Sequence, residues 1–330
     1  MTIKRRDFLK AVGGAFAVGT GETQAFQRET KTMPPQAVGM LYDSTLCIGC
    51  KACVAACKQA NDHPAEIADE HREWNEGTWD SAIDISGKTL NVIKSYQNGD
   101  LSQKDREIDG YAFVKRHCLH CVDPSCVSVC PVSAMEKDPI TGIVTHNPDA
   151  CIGCRYCVLG CPFSVPQFDY ETPFPQIHKC QFCVHLQAQG KLPACCDVCP
   201  TGASLFGDMQ ELKQEAEKRL TAKSGDSYEF QRGKLGGDRL SHVANIPEYQ
   251  QHLYGDKEAG GTQVVYLSGV PFDKLGLPTD VPEYSYASVS EGIQHTLYKG
   301  LIAPLTLLSG LMFMAYRNRN LKPTEEEDKS

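Results

Sequence analysis

CIGCRYCVLGCP, residues 151–162, sets four cysteines at the spacing C-x2-C-x2-C-x3-C and closes on a proline. The spacing recurs in CIGCKACVAAC, residues 47–57. Two further groups lengthen the loop before the third cysteine: CLHCVDPSCVSVCP, residues 118–131, and CQFC, residues 180–183, continued by CCDVCP, residues 195–200. All 17 cysteines of the 330-residue chain lie between Cys47 and Cys199. Thiols so concentrated are used as a set.

The spacing has a physical reason. Three thiolates that converge on three corners of a compact cubane need a tight loop, and Gly49 and Gly153 supply backbone freedom inside two of those loops. The pattern is that of the bacterial ferredoxin run for [4Fe–4S] clusters, whose fourth cysteine ligates the other cluster of a pair. Pro131, Pro162 and Pro200 follow the last cysteine of their modules, as in that run; Lys58 is the exception. Disulfides suit an exported chain, but C-x2-C-x2-C crowding works against pairing. Structural zinc uses C-x2-C pairs at wider separation. Four [4Fe–4S] clusters are the cofactors predicted.

Modules two and three are adjacent, joined by 20 residues that contain KDPITGIVTHN, a hairpin signal around Pro139 and Gly142. They form an inner unit, which leaves modules one and four to pair outside it. The swapping rule of the ferredoxin run then assigns the ligands. Cys47, Cys50, Cys53 and Cys199 hold cluster 1; Cys57, Cys180, Cys183 and Cys195 hold cluster 2. Cys118, Cys121, Cys126 and Cys161 hold cluster 3; Cys130, Cys151, Cys154 and Cys157 hold cluster 4. Cys196 is surplus, because Cys195 to Cys199 keeps the x3 spacing of the other modules and Cys196 to Cys199 does not.

The ends carry other signals. Arg5 and Arg6 precede Phe8, Leu9 and a short, weakly apolar run, the layout of a twin-arginine export signal over residues 1–25. Its removal takes the net charge from −8 to −10, which argues against nucleic acid as a partner. Residues 300–316 form an uncharged run, flanked by Lys299 before it and by Arg317, Arg319 and Lys322 after it. The positive-inside bias puts the tail in the cytoplasm and the remainder on the periplasmic side of the inner membrane.

With GMLYDSTLCIGC (39–50), CRYCVLGCPF (154–163), HLYGDKEAGGTQVVYLSGVPF (252–272) and IQHTLYKG (293–300), the chain resembles a family. That family is the four-cluster iron–sulfur subunits of membrane-bound respiratory oxidoreductases, and the likeness is greatest to the hydrogenase-2 type. The resemblance implies an electron-transfer subunit with no catalytic site of its own. It carries electrons from a periplasmic nickel–iron hydrogenase, whose small and large subunits are its partners, toward an integral membrane quinone-reactive subunit, with lipid around the C-terminal helix. The alternatives are the equivalent subunit of a molybdopterin oxidoreductase or of a nitrite reductase, and a protein that uses metal only to fold.

The predicted fold is α+β: two nested bacterial-ferredoxin-like units with an insertion, a C-terminal extended arm and one transmembrane helix. The outer unit takes residues 38–60 and 162–205, the insertion 61–110 and the inner unit 111–161. A C-terminal helix and arm take 206–296, the anchor 297–316 and the tail 317–330. The polar insertion, with Trp74 and Trp79, reads as surface-lying, and the arm as running over 225–295. GDMQELKQEAEKRL (207–220) reads as a solvent-facing helix with Asp208 as N-cap and Glu211 three residues on. His117, His120, His178 and His185 lie beside ligand cysteines as loop-filling neighbours, and His295 precedes the anchor at interface height.

Overall fold

Proline decides how far each cysteine helix runs. In the computed structural model, which describes residues 27–64, 84–170, 175–237 and 241–318, strand β1 (Val38–Asp43) leads into the first cysteine loop and helix α1 (Ala52–Ala60). Strands β2 (Val92–Gln97), β3 (Gln103–Lys104) and β4 (Gly110–Arg116) follow. Next come α2 (Ser125–Ser128), β5 (Met135–Lys137), β6 (Val144–His146), α3 (Tyr156–Leu159), β7 (Gln167–Phe168) and β8 (Ile177–His178). Helices α4 (Val184–Gln187) and α5 (Ala194–Asp197) complete the cysteine region. The third cysteine of every module sits on a helix: Cys53 on α1, Cys126 on α2, Cys157 on α3, Cys195 on α5. Helices α2, α3 and α5 stop after four residues, shortly before Pro131, Pro162 and Pro200. Where Lys58 replaces the proline, α1 continues to nine residues.

The chain continues through β9 (Ser204–Asp208), α6 (Met209–Thr221), β10 (Ser227–Phe230), β11 (His242–Asn245), β12 (Val264–Leu267) and α7 (Tyr286–Asn318). Among the described residues five small sheets result, ordered β12-β1-β9, β2-β4-β3, β5-β6, β7-β8 and β10-β11. The expected hairpin is β5-β6, with Lys137 opposite Val144. Its turn is held by Asp138, whose Oδ1 accepts from Ile140 N (2.9 Å), Thr141 N (2.6 Å) and Thr141 Oγ1 (2.9 Å).

Three expectations need correction. Residues 225–295 are not an extended arm throughout. Within them β12 pairs parallel with β1, Met40 opposite Val264, and all four of its residues are buried. The insertion is not wholly surface-lying, since β2 pairs with β4 over six residues and puts Val92 and Ile93 in the core. Trp74 and Trp79 lie outside the described residues. Helix α6 starts at the expected cap, Asp208 Oδ1 accepting from Gln210 N (2.9 Å) and Glu211 N (3.2 Å). Yet its charges are not all solvated, because Glu215 and Arg219 are buried with Met209, Leu212 and Ala216 on the inner face.

The described residues divide into two units, Thr30–Ala287 and a second that takes residues 27–29 with 288–318. In the first, one core runs from Met40 and Tyr42 through Cys47, Cys53, Cys118 and Cys195 to Tyr266, and a second lies under α6. In the second, Arg28 Nε meets Glu291 Oε2 at 2.5 Å on α7. The 33 residues of α7 span ~50 Å. Within it Tyr286–Phe313 is long and apolar enough to cross a membrane. The export signal at 1–25 lies outside the described residues, as does most of the tail.

Candidate metal centres

Each module turns through left-handed backbone. Gly49 (φ 69°) and Gly153 (φ 68°) sit between the first two cysteines, and Lys51 (φ 59°) and Arg155 (φ 64°) follow the second. At Gly49 a Cβ would meet the Phe113 ring at 2.6 Å, so both the backbone angle and the close approach require glycine.

The loops bring thiols together across modules. Helix α1 packs on α5, and α2 on α3. Burial raises Cys53 to about 12, opposed by Lys115 and reinforced by the thiols of Cys195, Cys47 and Cys199. Burial likewise raises Cys47, with Cys199 the thiol acting on it. Cys57, Cys180, Cys183 and Cys195 line one cavity, together with Lys115 and His117. Cys121 and Cys126 are raised by burial, and Cys161 is the strongest thiol neighbour of both. Cys157 is raised by burial to about 11, with Cys151, Cys130 and Cys154 around it. Buried thiols held protonated must lose those protons to bind metal.

Two of these cysteines differ from the rest: Cys50 and Cys154 are exposed. Apolar side chains stand open beside each, Ile48 by the first and Ile152, Tyr156 and Leu159 by the second. Cys196 is fully buried and is not among the cavity-lining residues. The hydrogen bond between the Cys195 and Cys196 side chains lowers the pKa of Cys195, and Lys115 lowers it further.

The donor set fits [4Fe–4S] chemistry. Each of the four modules offers four cysteine sulfurs, and amide groups point at several of them. Ala134 N reaches Cys130 Sγ at 3.2 Å, and Val165 N and Phe182 N reach Cys161 and Cys180 Sγ at 3.5 Å. Asn61 Nδ2 approaches Cys57 Sγ at 3.6 Å. Such donors favour the thiolate and stabilise charge on a bound cluster. Among the described residues no three Cys, His, Asp or Glu side chains converge closely enough to hold a single metal ion. Thiols at the corners of a cubane stand further apart than that.

The histidines beside the cysteines make structural contacts. His117 Nδ1 meets Cys118 O at 2.8 Å, and His120 Nδ1 accepts from Val144 N at 3.0 Å while its ring stacks on Phe182. Burial pushes both pKa values well below the ordinary range. His185 Nε2 meets Ala60 O at 2.8 Å, and His178 packs edge-on to His63.

Sequence reasoning missed three lysines that point inward: Lys115 and Lys179, which are buried, and Lys137, which is partly buried. Lys137 Nζ donates to Cys121 O (3.0 Å), Gly142 O (2.7 Å) and Gln263 Oε1 (2.8 Å). Lys179 Nζ donates to Val144 O and Cys180 O. Lys115 is fully buried and faces sulfur. The signal available was position, since Lys179 abuts Cys180 and Lys115 lies three residues before Cys118.

Comparison with known proteins agrees with this geometry. The family model described as "4Fe-4S dicluster domain" matches residues 110–209. The chain is 46% identical over 323 residues to the hydrogenase-2 operon protein HybA of Escherichia coli O157:H7, covering 96% of each chain. It is 34% identical over 274 residues to the nitrate-inducible formate dehydrogenase iron–sulfur subunit of Escherichia coli K12, covering 81% of this chain and 79% of that one. It is also 34% identical over 235 residues to the protein NrfC of the same strain, covering 71% and 92%. With thiol modules of this spacing and a relative of this likeness along nearly its whole length, the chain belongs to the HybA family of [4Fe–4S] proteins.

Proposed function

We propose that the chain is an electron-transfer subunit that conducts electrons one at a time through four [4Fe–4S] clusters. They come from a periplasmic hydrogen-oxidising nickel–iron hydrogenase and go toward a membrane quinone-reactive subunit. The observation that carries this reading is the grouping of thiols across modules, with an exposed cysteine and exposed apolar side chains at two of the loops. When bound, such clusters take up and release single electrons without making or breaking bonds in a substrate.

The chain's own residues do the rest. Cys47, Cys50, Cys53 and Cys199 hold one cluster, and Cys57, Cys180, Cys183 and Cys195 the next; the shared cavity of the latter four supports this set. Cys118, Cys121, Cys126 and Cys161 hold a third, and Cys130, Cys151, Cys154 and Cys157 a fourth. The packing of α1 on α5 and of α2 on α3 supports two nested ferredoxin-like units, modules one and four outside two and three. The apolar core keeps water away from the buried thiols, and the amides directed at sulfur offset the charge they carry. Cys50 with Ile48, and Cys154 with Ile152, Tyr156 and Leu159, are open to partner subunits.

Export by the twin-arginine route and anchoring by α7 complete the proposal. From Leu297 to Tyr316 the large apolar side chains described are at least half exposed, as expected of a helix surrounded by lipid. The tail beyond it lies in the cytoplasm in this reading.

The test is anaerobic iron and sulfide analysis with redox-titrated electron paramagnetic resonance on the complex purified from membranes, together with identification of its large subunit. Four reducible cubanes and a nickel–iron partner are expected. Zinc without reducible cubanes would overturn the electron-transfer reading. A molybdopterin partner would favour the second reading, which the 34% identity to a formate dehydrogenase subunit keeps in view.

A further inference from the structure

Lys115 lies on β4 with no exposed surface, so its ammonium has no water to compensate it. A buried lysine is ordinarily met by a carboxylate or by several carbonyls, and Lys179 follows that rule through backbone oxygens, as does the partly buried Lys137. Lys115 does not. Among the described residues its Nζ donates to Ser204 Oγ at 3.3 Å, approaches Met40 Sδ at 3.8 Å, and faces the sulfur atoms of Cys195, Cys53 and Cys196. No carboxylate is among these neighbours. Sulfur is what lies opposite the ammonium, in the cavity that Lys115 shares with Cys57, Cys180, Cys183 and Cys195.

Its placement is specific. Cys53 and Cys195 belong to different ligand sets in the proposed assignment, and Lys115 faces both. It also lines the cavity shared by Cys57, Cys180, Cys183 and Cys195. The residue is held there by the β2-β4 pairing, in which Ile93 stands opposite Lys115. The segment between modules one and two thus provides the strand that fixes this side chain.

We propose that Lys115 is a fixed positive charge that raises the reduction potentials of the two clusters held by the outer modules, while leaving those of the inner modules nearly unchanged. Reduction adds negative charge to a cluster, and a buried cation beside it stabilises the reduced form more than the oxidised form. Burial keeps this interaction from being screened by salt. Lys115 acts through the ligand sulfurs and is a positioning residue for charge, not a ligand. The inference rests on the ligand sets assigned above.

The experiment compares parent, Lys115→Met and Lys115→Arg forms of the membrane-purified complex by redox-titrated electron paramagnetic resonance, with iron counted in each. In Lys115→Met two of the four signals should move to lower potential. At a fixed ambient potential the ratio of reduced to oxidised cluster should fall at least tenfold, which for one electron is about 59 mV. The other two signals should stay in place, and Lys115→Arg should stay near the parent. Lys115→Gln is a second neutral form in case Met disturbs packing. Unshifted potentials in whichever neutral form retains its clusters overturn the inference, as does an equal shift of all four signals. A parent complex with fewer than four cubanes would overturn the ligand assignment instead, so the two failures are told apart by the iron count.

Discussion

Asp43 and Arg219 form an ion pair at 3.1 Å with both side chains fully buried. Glu215, one helical turn before Arg219, meets the same guanidinium at 2.8 Å, and Tyr249 Oη donates to Asp43 Oδ2 at 2.7 Å. Burial opposes the charge on Arg219, but Asp43 and Glu215 outweigh it, and its pKa is raised. Asp43 ends β1, and its other oxygen accepts from Thr45 N at 3.1 Å in the turn that leads to Cys47. Helix α6 is thereby fastened to the first cysteine loop. Arg219→Met would leave two buried carboxylates without their cation and should destabilise the chain by about 3–5 kcal/mol. Chaotrope unfolding of the loaded protein measures this, and a change below 1 kcal/mol on that scale would show the pair to be dispensable.

Gly49 and Gly153 occupy equivalent places in two like modules, yet they should not tolerate alanine equally. Both have left-handed backbone, which alone costs a non-glycine residue roughly 1 kcal/mol. At Gly153 the nearest atom to a new Cβ is on Phe168 at 3.5 Å, an ordinary contact, whereas at Gly49 the Phe113 ring is at 2.6 Å. Gly49→Ala should therefore lower the thermal midpoint more than Gly153→Ala and should lose iron from one cluster. Equal midpoints would contradict the role given to Phe113.

Cys195 and Cys196 are adjacent, and only one is expected to bind iron. Cys195 lines the cavity with Cys57, Cys180 and Cys183, while Cys196 is buried outside that lining with its side chain hydrogen-bonded to Cys195. Cys196→Ala should keep four clusters; Cys195→Ala should lose or convert one. Iron content and the resonance spectrum of each variant decide, and equal loss in both would show the assignment to be wrong.

What could be read from sequence was local. The spacing of cysteines requires tight loops, Pro131, Pro162 and Pro200 limit the helices, and Asp208 and Asp138 cap or turn the backbone within three residues of themselves. The misread features depend on distant partners. Val264–Leu267 lies inside the expected arm because its partner β1 is more than 200 residues earlier, and burial on both faces leaves little alternation to show where it packs. Arg219 looked like one more charge on a polar helix because Asp43, which draws it inward, belongs to another element. The place of Lys115 is hidden in the sequence for the same reason. Nothing in KRHC reveals that the lysine faces Cys195, 80 residues later.

Asp105 should give the stability a pH dependence of its own. Its Oδ2 meets Lys104 Nζ at 2.6 Å, but its Oδ1 is buried without a hydrogen-bond partner among the described residues. Burial, against the opposing pull of Lys104, raises its pKa from 3.8 to about 6. Between those values the folded chain binds more protons at this site than the unfolded chain does. The contribution is therefore fully present below the lower value and is lost as pH rises through the upper one. Asn at this position keeps the neutral shape at every pH, and Lys104 retains Thr45 O at 2.6 Å as a partner. Asp105→Asn should thus be more stable than the parent by about 1–2 kcal/mol at neutral pH, with the difference shrinking as the solution is acidified. Unfolding midpoints of the two forms, measured side by side from pH 5 to pH 7.5, check this. A difference that stays constant, or grows toward acid, would mean that the buried carboxylate is balanced by Lys104 after all.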